Sequence, residues 1–407
     1  MLTLRLSGRN LTAIFGRAAL GECFADKKSA AAGVLVAAFF STFGVGAFTF
    51  AMSLSAQSSG MSASWLGLAF SGYFFARLVL APVAGYAADS LGARPLLVTA
   101  TGIGGVVPFL YYFYPTMETL GIIQICLGFC SGIIKPVSLS LLGDCAPESS
   151  RGRLFGVYNT YMYSALVLGP LAGGYTIGIQ EKMGELSLIW PAVGMGLSFL
   201  FFFRGRTESL FPAARKRRED KGLPWRNPFF PALLLAVLGR TAGASVVITF
   251  LPRMINEHFG LDGISAGFLF ALPSLILIAL MPVTGKWADL RDRAGLTFLG
   301  MGICAACLFG YGQADSLWWF VLLVAGMGFG SSISLPASMS LAADMGRGRV
   351  MGVFLGVSNL GFILGPALAG FAAEAGGMAD AFELVALFSG FCILPTFLVM
   401  SKRLYTQ

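Results

Sequence analysis

The stretch Gly85-Tyr-Ala-Ala-Asp89-Ser-Leu-Gly92-Ala-Arg94 joins two long apolar segments. A second version begins 200 residues later, at Gly285, and runs through Asp289 to Arg293. Further pairs keep this spacing, namely Gly128 with Gly328, Pro136 with Pro336 and Asp144 with Asp344. A repeat that holds its register over such a length predicts an internal duplication, so we expect two matching halves, as in many transporters.

The repeat continues beyond one shortened loop. Arg151-Gly-Arg153 matches Arg347-Gly-Arg349, and Gly169-Pro170 matches Gly365-Pro366, both 196 residues apart. The spacing falls from 200 to 196 residues for a single reason: six residues separate Asp144 from Arg151, but only two separate Asp344 from Arg347. The duplication therefore extends through most of the chain.

Apolar segments long enough to cross a bilayer recur along the sequence. Only 12% of the 407 residues are charged and 56% are hydrophobic, whereas soluble domains carry about 25% charged residues. About 20 apolar residues span a bilayer, and segments of that length lie at 30–55, 64–87, 94–114, 117–142, 152–177, 186–204, 229–252, 263–287, 294–312, 316–341, 350–373 and 381–401. These predict an all-α membrane protein with twelve transmembrane helices in two pseudo-symmetric six-helix bundles.

The basic residues divide the chain and orient it. Most of the 28 Lys and Arg fall in one set of loops and termini, which the positive-inside rule places in the cytoplasm. Both termini are then cytoplasmic, and a bacterial inner membrane is the expected location. The predicted parts are a cytoplasmic N-terminal segment (1–29), an N-terminal half (30–204), a basic cytoplasmic linker (205–228) and a C-terminal half (229–407). Because the net charge of +8 follows this topology, no nucleic-acid partner is expected.

The stretch from Gly85 to Arg94 resembles the cytoplasmic loop motif between helices two and three of the major facilitator superfamily. In that family the motif's contacts latch the outward-facing state. The resemblance covers essentially the whole chain and implies alternating access. It implies a gating role for Gly85, Asp89, Gly92, Arg94, Gly285, Asp289, Arg293, Arg151, Arg153, Arg347 and Arg349.

A second pattern lies in predicted helix five and is repeated in helix eleven. The spacing of Gly156, Gly169-Pro170 and Gly173-Gly174 resembles the family's antiporter motif, which favours exchange or export. The residues expected to bend these helices are Gly169, Pro170, Gly365 and Pro366. Proton-linked drug exporters of the family carry an arginine where this chain has Gln124, so their proton-coupling apparatus is not expected here.

Three cations interrupt the apolar segments. Arg77, Lys135 and Arg240 each lie about 13–18 Å along their helices from the cytoplasmic end, at 1.5 Å per residue, while all 20 acids map to loops, termini or helix ends. A charge at this depth costs about 2.5–3.5 kcal/mol on insertion scales. The cations are left with backbone carbonyls, water or a ligand as partners, and we favour an anionic solute. The full predicted binding set is Arg77, Lys135, Arg240, Gln124, Tyr73, Asn159, Tyr163 and Asn359.

The sequence thus predicts a monomeric secondary transporter for a small, anionic organic solute, working by exchange or export among membrane lipids. The alternatives are a proton-linked multidrug exporter and a transporter-like sensor without flux. No nucleophile–base pair, metal cluster or phosphate loop is present, so no enzyme, metal or cofactor is expected. Cys304 and Cys307 have metal-site spacing but no acid or histidine nearby, and we interpret them as packing residues.

Overall fold

The computed structural model describes residues 28–55, 60–145, 151–179, 185–204, 223–290, 292–346 and 349–404. These residues form twelve long helices and no strand. The first half contains α1 (Lys28–Ser55), α2 (Ala63–Leu91), α3 (Ala93–Phe113, with a 3-10 turn at Val107–Phe109), α4 (Met117–Cys145), α5 (Arg151–Ile179) and α6 (Glu185–Arg204). The second contains α7 (Phe229–Phe259), α8 (Gly263–Leu290), α9 (Arg293–Gly312), α10 (Leu317–Met345), α11 (Arg349–Gly376) and α12 (Met378–Leu404).

Each predicted segment corresponds to one of these helices. Ten of the twelve are long and apolar enough to cross a membrane over their described residues, and the two others are α5 and α6. Helix α5 begins with polar residues, and the apolar stretch described in α6 is Ile189–Phe203. Ten spans are therefore supported by composition and length, and the count of twelve stays a prediction.

The loop between α2 and α3 is a single residue. Gly92 has φ +88° and its N–H donates to the carbonyl oxygen of Ala88 at 3.1 Å. A side chain at such a φ is strained, so glycine is the residue suited to this reversal. This explains physically why a glycine stands between Asp89 and Arg94 in the loop.

The two halves repeat the same packing. Helix α1 packs on α5 and α6, as α7 packs on α11 and α12, and α2 packs on α4 as α8 packs on α10. Between the halves, the main contacts join α2 to α11 and α5 to α8, with a smaller one between α1 and α7. These inter-half contacts form the walls of the central region.

Candidate substrate cavity and gates

The halves meet at one end of the bundle, which we call the closed end. It contains the start of α2 and the end of α11. The backbone N–H of Ser64 donates to Glu374 Oε2 at 3.3 Å, and Ser71 Oγ donates to the carbonyl oxygen of Ile363 at 2.7 Å. The next contact inward stacks two rings, Phe74 and Phe362, with centroids 4.8 Å apart.

Glycines let the backbones touch at the closed end. A Cβ added to Gly67 would clash with the carbonyl oxygen of Pro366, and one on Gly174 would clash with that of Gly263. Helices α1 and α7 meet through a hydrogen bond from Ser53 Oγ to the carbonyl oxygen of Thr249. Side-chain, ring and backbone contacts together close this end.

The other end, where the Gly85 and Gly285 loops lie, is called the motif end. A Cβ on Gly85, Gly285, Gly156 or Gly352 would meet no atom within 4 Å. These glycines lie near the motif ends of α2, α8, α5 and α11, the helices that touch between the halves at the closed end. These four positions therefore leave open space, whereas Gly67 and Gly174 at the closed end meet the backbone of the opposite half.

The three predicted cations lie inside the bundle. Lys135 and Arg240 are deep within the protein, although each keeps some accessible surface, and Arg77 is likewise only partly buried. Deep placement with residual accessible surface fits side chains that line a cavity better than side chains that point to lipid. Within the described ranges, none of the three makes a hydrogen bond or an ion pair.

Arg77 and Lys135 are neighbours in the first half. A Cβ on Gly132 would lie 3.0 Å from the carbonyl oxygen of Arg77, so α2 and α4 are in contact there. Lys135 follows Gly132 by three residues, on the same side of the helix. The two cations repel each other, and the Arg77 charge also acts on Tyr158, whose hydroxyl is fully buried with no partner in the described chain.

Arg240 contributes from the second half. Its charge interacts with Tyr163 of the first half and with Cys304 of its own half. The Arg240 Nε atom is buried and has no hydrogen-bond partner among the described residues. The Arg240 charge therefore acts on a residue of the opposite half as well as on its own.

The other predicted binding residues are placed less uniformly. Tyr73 and Asn159 are partly buried, and Asn359 donates from Nδ2 to the carbonyl oxygen of Leu355 in its own helix at 2.8 Å. Gln124 is only 1% exposed, and its Oε1 has no described partner. In this state Gln124 lies in the packing around α4 rather than on an accessible surface.

The predicted gating residues are described in part. Arg94 donates from Nη2 to the carbonyl oxygen of Phe203 at 2.7 Å. Arg293 donates from Nε to the carbonyl oxygen of Ala288 at 2.9 Å and forms an ion pair with Asp344. Arg347 and the side chains of Asp89, Asp289, Arg151, Arg153 and Arg349 lie outside the described part of the structure.

The two Gly-Pro pairs pack in equivalent places. A Cβ on Gly169 would lie 2.7 Å from the carbonyl oxygen of Phe43 in α1, and one on Gly365 would clash with that of Ala242 in α7. Helices α5 and α11 continue past Pro170 and Pro366 respectively. Each pair therefore lets α5 or α11 approach the first helix of its half closely.

Sequence reasoning did not single out two features of this region. Tyr158 was missed because a tyrosine in an apolar helix gives no signal of what it faces. The contact of Glu374 with Ser64 was missed because residues 310 positions apart share no local pattern. Only the packing of α2 on α11 brings them together.

Comparisons with known proteins agree with this architecture. The sequence profile of the Major Facilitator Superfamily matches residues 34–346. The chain is 26% identical over 370 residues to the uncharacterised MFS-type transporter MJ1560 of Methanocaldococcus jannaschii, covering 88% of this chain and 94% of the relative. It is 24% identical over 344 residues to the multidrug resistance protein MdtH of Cronobacter sakazakii, covering 82% of each.

A solved structure shares the fold. A bacterial homologue of the human lysosomal transporter Spinster, in an inward-facing and unoccupied conformation, superposes with a TM-score of 0.71 at 16% identity, over 90% of this chain and 96% of that one. Two repeated six-helix halves, with ten of the described helices apolar enough to cross a membrane, fit the integral membrane transporters that this family model describes. The chain belongs to the Major Facilitator Superfamily.

Proposed function

We propose that this chain is a secondary carrier that binds an organic anion in its central cavity and moves it by exchange or export. The supporting observation is that Arg77, Lys135 and Arg240 line the interior without a hydrogen-bond or ion-pair partner among the described residues. An uncompensated charge in low dielectric is costly, so an anion that enters between them gains more there than a neutral molecule.

The surroundings favour an amphipathic anion. Aromatic rings pack along α1 in the first half, where Phe39 contacts Tyr161 of α5 and Phe43 contacts Trp190 of α6, with centroids 6.5 and 5.4 Å apart. Rings bury large apolar areas. The solute we propose carries its negative group toward the cations and an apolar body toward these rings.

The proposed orientation follows from the basic loops. We place the motif end in the cytoplasm, so that the closed end faces outward and the present state is inward-facing. An exporter in this state would load its solute from the cytoplasm. The Gly-Pro contacts in α5 and α11 agree with the antiporter resemblance and support exchange or export over import.

Multidrug export is the second candidate. It is favoured by the relative named a multidrug resistance protein, and that name supports it more directly than any comparison supports an anion. A drug exporter for cations would have to accommodate them beside three positive side chains. The two candidates therefore differ in the charge of the compounds that bind.

The test is thermal stability of the purified chain in detergent with matched ligands. Benzoate and 1-naphthoate are compared with the neutral benzamide and 1-naphthamide, and with the lipophilic cation tetraphenylphosphonium. We expect the carboxylates alone to raise Tm, because binding to the folded state stabilises it by RT ln(1 + [L]/Kd). Counterflow of the stabilising compound in proteoliposomes then separates a carrier from a sensor without flux.

Two results would contradict the anion proposal. Stabilisation by tetraphenylphosphonium alone would favour export of cationic drugs. Equal stabilisation by a carboxylate and its amide would show that the negative charge is not recognised. Binding without counterflow would leave the anion site in place but assign the chain to the sensor class.

A further inference from the structure

The proximity of the two cations Arg77 and Lys135 bears on how transport of the solute is coupled to an ion. A secondary carrier couples the movement of an ion to that of its solute only if the two bind in step. Acids are the usual proton carriers in membrane proteins, yet every Asp and Glu in this sequence lies in a loop, a terminus or near a helix end. His258, the single histidine, is at the end of α7, at the closed end.

Helix α4, which carries Lys135, packs against α1, α2, α3 and α5. The sequences of α1, α3 and α5 contain no acid, and their basic residues are near the motif end. Helices α2 and α4 carry Asp89 and Asp144 near their motif ends, about 18 Å and 13 Å along the helix from Arg77 and Lys135. Glu118 is at the opposite end of α4.

One charged side chain acts on Lys135 itself. Arg77 repels the ammonium directly, and Tyr158 of α5 lies within reach of the Arg77 charge. Arginine stays charged at physiological pH, whereas lysine releases its proton when its charged form is disfavoured. If one of the two cations gives up its charge in the empty cavity, it is therefore Lys135.

We propose that Lys135 is the proton-coupling group of this carrier, taking up a proton when an anion binds and releasing it when the anion leaves. This inference rests on the proposed anion site. In the step, the neutral amine, one proton from water in the cavity and the anion combine to give an ammonium paired with the anion. No covalent bond to the solute forms or breaks, and a monoanion crosses with one proton, so the loaded site has the same net charge as the empty one.

The contact between the helices explains why this pair is suited to the task. Gly132 brings α4 against the backbone of Arg77, so the Arg77 charge is held near Lys135. An anion between them is attracted to both and removes the penalty on protonating the amine. Arg240 belongs to the second half and contributes attraction without a proton change, because arginine stays charged.

The experiment measures protons taken up per anion bound. The full chain is titrated with 1-naphthoate, or with benzoate if that gives the larger thermal shift, by calorimetry in Hepes and in Tris at the same pH. The dependence of the measured enthalpy on the buffer's ionisation enthalpy gives the proton count. We expect about one proton per anion at the upper end of a series from about pH 6 to pH 9, and an apparent Kd that rises about tenfold per pH unit there.

Lys135→Arg is the decisive variant, because it keeps a cation that does not lose its proton. At the low end of the pH series, where the parent lysine is already protonated, we expect it to bind the anion within about threefold of the parent; across the series it should show no proton uptake and a flat pH dependence. Lys135→Gln should also show no uptake and bind at least about tenfold more weakly. Arg253→Gln, a change in a cation already paired with Glu257, is the control and should keep the proton count of the parent.

The outcomes separate the two proposals. Anion binding with no proton uptake by the parent at any pH, or a proton still taken up by Lys135→Arg, overturns the coupling role and leaves the anion site standing. No anion binding by any of the proteins removes the proposed function, and the coupling role with it.

Discussion

At the scale of single residues, the interior of this transporter is defined by charges that have no counterpart. Arg240 is an example: its Nε is buried and has no hydrogen-bond partner in the described residues. Leaving a buried donor unsatisfied costs about 1–3 kcal/mol, and more for charged groups. A protein that keeps such a residue needs a compensating use for it, and ligand binding is the use we favour.

Replacing Arg240 by Gln should weaken anion binding. Loss of a charge-assisted hydrogen bond is expected to cost about 1.5–3 kcal/mol, or about tenfold or more in Kd. The anion-induced rise in Tm measures this. Arg253→Gln, in the same helix, is the matched control because its Nε already lies 2.5 Å from Glu257 Oε1. Equal losses in both variants would argue for a general electrostatic effect rather than a site at Arg240.

The ion pair between Arg293 and Asp344 should add little stability. Both side chains keep accessible surface, 29% and 57% respectively, and exposed pairs contribute about 0–1 kcal/mol. We expect a double-mutant cycle of Arg293→Gln and Asp344→Asn, followed by thermal unfolding, to give a coupling below about 1 kcal/mol. A coupling energy well above that value would mean that the pair is shielded from solvent in the folded protein.

Several of these residues could be predicted from sequence and others could not. Arg77, Lys135 and Arg240 were predicted because a charge inside an apolar segment is visible without coordinates. Gln124 was predicted to bind solute, but its burial depends on how α4 is rotated about its axis. A helix that is apolar on all sides carries no pattern that fixes this rotation.

At the scale of helices, the Gly-Pro pairs of α5 and α11 have equivalent packing roles in the two halves. Gly169 faces the backbone of α1 and Gly365 faces that of α7. The repeat spacing predicted that these positions are equivalent. The repeat spacing could not identify the partner helix, because a small residue permits close approach by any neighbouring helix.

Gly169→Ala and Gly365→Ala should destabilise the protein. The added Cβ would meet backbone atoms that cannot rotate away, and overpacking of this kind costs about 1–3 kcal/mol. We expect a lower Tm for both variants in detergent. Gly356→Ala in α11 is the control, because nothing lies within 4 Å of its Cβ; it should be neutral or slightly stabilising, since alanine favours helix. A control that lowers Tm as much as the two variants would refute the packing argument.

The ends of the helices also differ from the boundaries predicted by hydropathy. The apolar segment predicted at 229–252 continues as helix α7 to Phe259. The added turns are polar, so hydropathy did not include them, but Arg253 and Glu257 stabilise them as a pair four residues apart. Boundaries set by bilayer thickness therefore fall short wherever a helix projects beyond the apolar layer.

At the scale of the whole molecule, alternating access requires the closed end to open. Ser64 and Glu374 are joined across the halves there, so a covalent link between these positions should hold the present state. In a cysteine-free background, Ser64→Cys with Glu374→Cys, treated with a short thiol cross-linker, should lose counterflow of the transported anion. Anion binding from the motif end should remain.

A second pair tests whether this effect is specific. Cysteines at Gly156 and Gly352 lie near the motif ends of α5 and α11, where the described structure leaves open space. The same reagent should link them less efficiently in this state. Counterflow that survives complete linkage of the first pair would show that the closed end does not open during transport.

The makeup of the closed end has a consequence for the medium it faces. The two halves are held together there by glycines packed on backbone carbonyl oxygens, by one stacked pair of rings and by hydrogen bonds from serine hydroxyls. Among the described contacts, Glu374 is the charged residue. Ionic strength weakens exposed charge pairs but leaves packed backbone largely unaffected. The closed end should therefore block solute equally well at low and high salt, so a change of salinity on that side would leave the leak of solute through the resting carrier unchanged.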